Sequence, residues 1–252
     1  MNTFRTLIQA LQDSELSQVY TTGETPDDLQ PKEARQLIRS LDLGMSALYS
    51  RFRLKDGRVT LRHDVGIENY ELDRDFAESN DTSLELTKYL IDLDSPYQDD
   101  AIRLEEVLGE DGDPLPLNDG DYEAPWHMPE LGKVYVTETL RTPTPLSLWV
   151  PSDKELGDLT VLYRARHAEV DVDAAVADLD SVEVELPQEY WQALFYYVAS
   201  RVYSPMYRAG EMHEGNNWAA RYEQECQRLE MNYLVVASDD RDGDTFRRAG
   251  WV

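Results

Sequence analysis

The chain has 252 residues, enough for one large or two small domains and for a core that buries roughly 70–75% of the unfolded surface. Its 50 Asp and Glu against 24 Lys and Arg leave a net charge of −26, which excludes a surface built to grip nucleic-acid phosphate. Hydrophobic residues make up 41% of the chain, with 15 Tyr and 5 Trp, so the acidity is not that of a disordered segment.

Cys226 is the single cysteine, which rules out an intrachain disulfide and fits a reducing compartment. No apolar run approaches the ~18–20 residues that span a bilayer. The opening MNTFRTLIQALQ lacks the charged and apolar regions of a signal peptide.

Residues 3–20 read as one or two short helices, with Leu7, Ile8 and Leu11 on one apolar edge and Leu16, Val19 and Tyr20 on another. A turn-rich loop, TTGETPDDLQ, leads to Pro31, which opens a strong helix to about residue 55. Its apolar positions Ala34, Leu37, Ile38, Leu41, Met45, Leu48, Tyr49 and Phe52 keep helical spacing. Gly44 inside it costs ~1 kcal/mol against alanine, so the close approach of another backbone is expected there. Asp56-Gly57 predicts a tight turn. RVTLRHDV then alternates as a strand, with Val59, Leu61 and His63 on one face. Asn80–Ser83 predicts a loop or the cap of a short helix over Leu84–Leu90.

Residues 92–130 hold thirteen carboxylates and one Lys or Arg, Arg103. A strand is expected around Ile102–Val107, a turn at Glu110–Asp113, and further strands at Lys133–Leu140, Leu146–Val150 and Leu159–Arg166. Pro and Thr punctuate them at 142–145, and Val170–Val184 is acidic and weakly patterned.

The organising stretch is Leu186–Val202. Pro187 suits the first turn of a helix, and Trp191, Leu194, Phe195, Val198 and Val202 line one face. Tyr190, Tyr197 and Tyr203 thicken that face, and Ser204-Pro205 ends the helix. After a loop at Arg208–Asn217, a last helix is expected over Trp218–Leu234, with Trp218, Tyr222, Cys226, Leu229 and Tyr233 on one face. Cys226 there reads as a packed small hydrophobe.

The fold expected is α+β. Residues 1–57 and 186–237 form a helical bundle, 58–185 a β-rich antiparallel insertion, and 238–252 a flexible tail.

Catalytic and metal chemistry finds little support. His63-Asp64 lacks further ligands at a useful spacing from His127, His167 or His213, and a strand would point the pair to opposite faces. Asp92-Leu93-Asp94-Ser95-Pro96 starts like a calcium loop but lacks its glycine, and Asp240–Asp244 lacks a closing glutamate. Paired carboxylates such as Glu105-Glu106 are too common here to signal acid–base catalysis. No nucleophile elbow, phosphate loop, dinucleotide fingerprint or zinc-protease motif occurs. No catalytic residue, metal or cofactor is expected.

LPQEYWQALFYYVASRVYSPM followed by AARYEQECQRL resembles the closing helix pair of head-to-tail adaptor (connector) proteins of short-tailed double-stranded DNA phages. YSRFRLKDGRVTLR and YQDDAIRLEEVLGEDGDPLPLND extend the likeness to about half the chain. The resemblance implies a virion structural protein and not an enzyme, assembled in the host cytoplasm into a dodecameric ring in the virion neck. That ring docks on the portal protein, meets a tail tube or nozzle protein below, and continues the channel through which DNA passes unbound during ejection. It implies no membrane.

A net charge of −26 per subunit suits a channel that must not hold phosphate. The aromatic residues at the C-terminal end, Phe246 and Trp251, flank Arg247 and Arg248 and are expected to dock on the portal. Two other readings stay open: an acidic DNA mimic or other interaction protein, and an enzyme with an unrecognised site.

Overall fold

In a computed structural model of the chain, residues 3–19, 25–80, 82, 86–118, 139–151, 156–203 and 212–249 are described, 212–213 and 233–249 by backbone alone. The fold is α+β, with N-terminal helices, a central antiparallel sheet region and C-terminal helices. It divides into two units, one of Met1–Phe52 with Glu169–Val252, the other of Arg53–Ala168. The β unit therefore begins before the expected 58 and ends well before the expected 185.

The helical unit holds α1 (Phe4–Asp13), α2 (Pro31–Arg51), α3 (Val172–Ala177), α4 (Trp191–Tyr203) and α5 (Met212–Ala249). α1 buries Phe4, Leu7, Ile8 and Leu11, and Leu16 beyond its end is fully buried too. α2 starts at Pro31 as expected, and Glu33 Oε2 accepts the Gln30 N–H at 3.3 Å. Ala34, Leu37, Ile38, Leu41, Met45, Leu48 and Tyr49 are all buried along it.

Gly44 does allow close packing, but of side chains rather than backbone. A Cβ there would lie 2.6 Å from Leu194 Cδ1 and 2.9 Å from Tyr197 Cδ1 of α4. Tyr49 donates its hydroxyl proton to the Glu185 carbonyl, which ties α2 to the chain entering α4. Phe52 meets Tyr190 edge-on at 5.0 Å.

α4 is preceded by a 3-10 turn at Gln188–Tyr190, so Pro187 sits at the cap and not inside the helix. Leu194, Phe195, Val198 and Val202 are buried, but Trp191 is only half-buried, its Nε1–H donating to Leu186 O at 3.3 Å. α3 was not expected. Asp171 caps it, accepting the N–H groups of Asp173 and Ala174 at 3.0 Å each.

α5 begins at Met212, so the expected loop to Asn217 is helical over its second half. Its backbone stays helical to Ala249, through most of the segment expected as a tail. Cys226 is fully buried and Leu229 nearly so.

The β unit is a four-stranded antiparallel sheet in the order β3-β1-β6-β4, built from β1 (Asp56–Arg62), β3 (Leu90–Ile91), β4 (Ala101–Leu108) and β6 (Asp158–Ala165). A separate ribbon pairs β2 (Asn69–Glu71) with β5 (Ser147–Trp149). Val59, Leu61, Leu104, Val107, Leu159, Val161 and Tyr163 supply the sheet's share of one core cluster, joined by Tyr70, Tyr89, Leu148 and Val150.

Asp56-Gly57 is not a turn. Both residues lie in β1, and Gly57 pairs with Tyr163. The Tyr163 ring covers it so closely that a Cβ would sit 2.2 Å from Tyr163 Cζ. The expected helix at Leu84–Leu90 is also absent where residues are described: 86–89 carry no helix and Leu90 enters β3. The turn after β4 is present, with Gly112 at φ +81° and Gly109 N–H bound to Asp113 O at 2.9 Å. Most of the strand expected at Lys133–Leu140 falls outside the described residues.

Buried tyrosines tie the irregular segments of this unit together. Tyr70 Oη accepts the Asp64 N–H at 2.9 Å and donates to Asp64 O at 3.0 Å. Tyr89 Oη does the same with Glu71, at 2.8 and 3.1 Å. Tyr163 Oη donates to Asp100 Oδ1 at 2.9 Å. Burial pushes the Tyr89, Tyr97 and Tyr163 phenols well above their ordinary range.

Candidate functional site

The motifs weighed from the sequence resolve into structural roles. β1 ends at Arg62, so His63 and Asp64 lie in the following turn; His63 Nδ1 sits 2.9 Å from Tyr70 Oη. His167 Nδ1 is 2.8 Å from the Ala168 carbonyl. Asp92 is no solvated turn. It is 4% exposed, and its carboxylate accepts Ser79 N–H at 2.8 Å, Ser79 Oγ–H at 2.5 Å and Tyr97 N–H at 2.8 Å. Burial alone would raise its pKa, but these hydrogen bonds together hold it below the usual carboxylate range. Glu105 is spent on Arg103 and Arg164, at 3.1 and 2.9 Å. Cys226 is buried, and burial pushes its thiol up, away from reactivity. Among the described residues no three His, Cys, Asp or Glu side chains gather as a metal site.

Phe246, Arg247 and Arg248 lie on the last turns of α5; their side chains, and Trp251 entirely, fall outside the described residues. Asp240–Asp244 is likewise helical backbone.

The arrangement that stands out is an aromatic seam where α5 packs on α4. Trp218 meets Tyr196 at 5.6 Å and stacks on Tyr203 at 6.2 Å, with 15° between planes. One turn on, Tyr222 meets Tyr197 edge-on at 5.4 Å. Two arginines cover this seam. The Arg221 guanidinium lies 4.6 Å from the Trp218 ring, and that of Arg201 lies 5.2 Å from Tyr197, with a hydrogen bond from Arg201 Nη2 to Tyr197 Oη at 3.1 Å.

Both arginines are exposed, whereas Trp218, Tyr196, Tyr197 and Tyr222 are half-buried. In a chain with twice as many carboxylates as cations, neither has a carboxylate partner among the described residues. A cleft of about 380 Å³ opens beside the seam, lined by Glu15, Gln18, Tyr203, Asn217, Trp218 and Arg221 among others. Tyr203 Oη closes one side by donating to Glu15 O at 3.1 Å.

α5 is held in place by Arg51 at the end of α2. Its Nη1 and Nη2 bind both oxygens of Glu223 at 2.7 and 2.8 Å, and Nε binds Glu230 at 2.6 Å. These bonds raise the Arg51 pKa further and hold Glu223 below the carboxylate range. Half-buried Trp and Tyr with exposed Arg is the composition of protein-interface hot spots. The sequence reading placed Trp218 and Tyr222 on an apolar face but missed the two arginines. Their signal was spacing: Arg201 follows Tyr197 by four residues and Arg221 follows Trp218 by three, which puts each over its ring. No protein-family model and no curated protein matches the chain.

Proposed function

We propose that the chain is a ring-forming head-to-tail adaptor of a short-tailed phage, docking on the portal and extending the DNA channel towards the tail. The observation that supports this most is the disproportion of α5. At 38 residues it is about 57 Å long, whereas α4, its main packing partner, has 13 residues and is about 20 Å long. Its distal part, SDDRDGDTFRRA, is rich in poor helix formers, and such a segment gains stable helicity by packing on something. An assembly protein supplies that partner, and Phe246, Arg247, Arg248 and Trp251 are the anchors proposed for the portal. The acidic chain suits a channel wall that lets DNA slide. The role needs no catalytic site.

A chain ending at Ala237 tests the docking element. It keeps Trp218 and Tyr222, which meet the tyrosines of α4, and the buried Cys226 and Leu229. It should melt as the full chain does and fail to decorate portal rings. Decoration at full occupancy would move the docking surface elsewhere.

A further inference from the structure

We infer that the seam of Arg201, Arg221 and Trp218 receives the acidic 169–183 edge of a second copy of this chain, as a head-to-tail contact between neighbouring subunits. The inference rests on the ring-forming reading and names the surfaces that close the ring.

The argument begins with position. α3 packs on α2, α2 on α4 and α4 on α5, so α3 and the seam lie at the two ends of one series of packed helices. α1 connects the same two regions. At its start Arg5 Nε binds Asp180 at 2.7 Å, and Thr3 bridges Glu183; just past its end, Glu15 accepts from Tyr203 and from Gln192 Nε2 at 2.6 Å. Its 10 residues span about 15 Å. The two surfaces therefore belong to different sides of one unit, which a heterologous contact requires and a two-fold contact does not.

Charge comes next. The segment 169–183 carries Glu169, Asp171, Asp173, Asp178, Asp180 and Glu183 and no Lys or Arg. All six are exposed, and among the described residues Arg5 and Arg35 are the cations paired with them. At the other end, Arg201 and Arg221 are exposed, held over aromatic rings, and offer guanidinium edges to a carboxylate. The chain thus presents two exposed guanidinium groups, with Glu15 and Glu214 in the cleft beside Arg221, to an acidic surface that each copy carries. Head-to-tail pairing uses the seam once and the acidic edge once per subunit and leaves no end open once the ring closes.

The test is a charge exchange. One variant carries Arg201→Glu and Arg221→Glu; the other carries Glu169→Lys and Glu183→Lys. All four side chains are exposed, and thermal melting confirms that each variant folds. Self-association is then followed by sedimentation at one moderate salt, at protein concentrations at which the wild-type chain associates. Each variant alone should associate roughly tenfold or more weaker than wild type, because the attraction is reversed in the first and cut from six carboxylates to four, beside two lysines, in the second. Mixed in equal amounts they should form one-to-one dimers, joined by the Arg201 and Arg221 seam of one and the unaltered acidic edge of the other. A mixture that stays monomeric, or a variant that self-associates as wild type does, overturns the inference. Decoration of portal rings by the wild-type chain is a separate readout, so failure of the seam and failure of the adaptor reading are told apart.

Discussion

Gly57 shows how a single residue sets the packing of the β unit. The Tyr163 ring lies across it and is pinned by the hydrogen bond to Asp100 at 2.9 Å, so it has little freedom to withdraw. Gly57→Ala should cost about 1–3 kcal/mol in urea unfolding, although alanine is otherwise the better strand residue. A neutral result would mean that the ring swings aside. Asp92 provides a pH-dependent case. Its folded pKa lies below that of the unfolded chain, near 3.9, so its contribution is present above that value and lost as pH falls through the folded one. Asp92→Asn should cost about 1–3 kcal/mol at neutral pH, and its difference from wild type should shrink below about pH 4. Neither role was legible in the sequence. Asp56-Gly57 has the composition of a turn, and only the cross-strand partner makes it a strand. Asp92 sits among so many carboxylates that its burial, decided by Ser79 and Tyr97, has no local signature.

At the scale of elements, helical period located α2, α4 and the packed part of α5, because each buries an apolar stripe that no other arrangement hides. It failed where local chemistry was overruled. Gly215, Asn216 and Asn217 are poor helix formers, yet α5 includes them. Leu84–Leu90 has helical composition, but Leu90 is claimed by β1, where it pairs with Leu61. The arginines over the seam went unseen because charged residues on a helix usually mark a solvated face. Arg51 is the element-scale test of how α2 holds α5. Arg51→Met should cost about 1 kcal/mol, and a double-mutant cycle with Glu223→Gln should recover most of it as coupling. That coupling should weaken with added salt, because the pair is partly exposed. Zero coupling would assign the placement of α5 to the aromatic seam alone.

For the whole molecule, charge and shape make separable claims. A chain at −26 should show no measurable affinity for duplex DNA at physiological salt; micromolar binding would reveal a basic groove and remove the channel argument. The same self-repulsion opposes spontaneous ring closure, so the isolated chain should be mainly monomeric at low ionic strength and oligomerise on a template. The most direct test is to mix wild-type chain with isolated portal rings and image the product by negative stain. The adaptor reading predicts a second ring of twelve copies seated on one face of the portal, coaxial with its channel. Portal rings that stay bare at saturating chain concentration would contradict it.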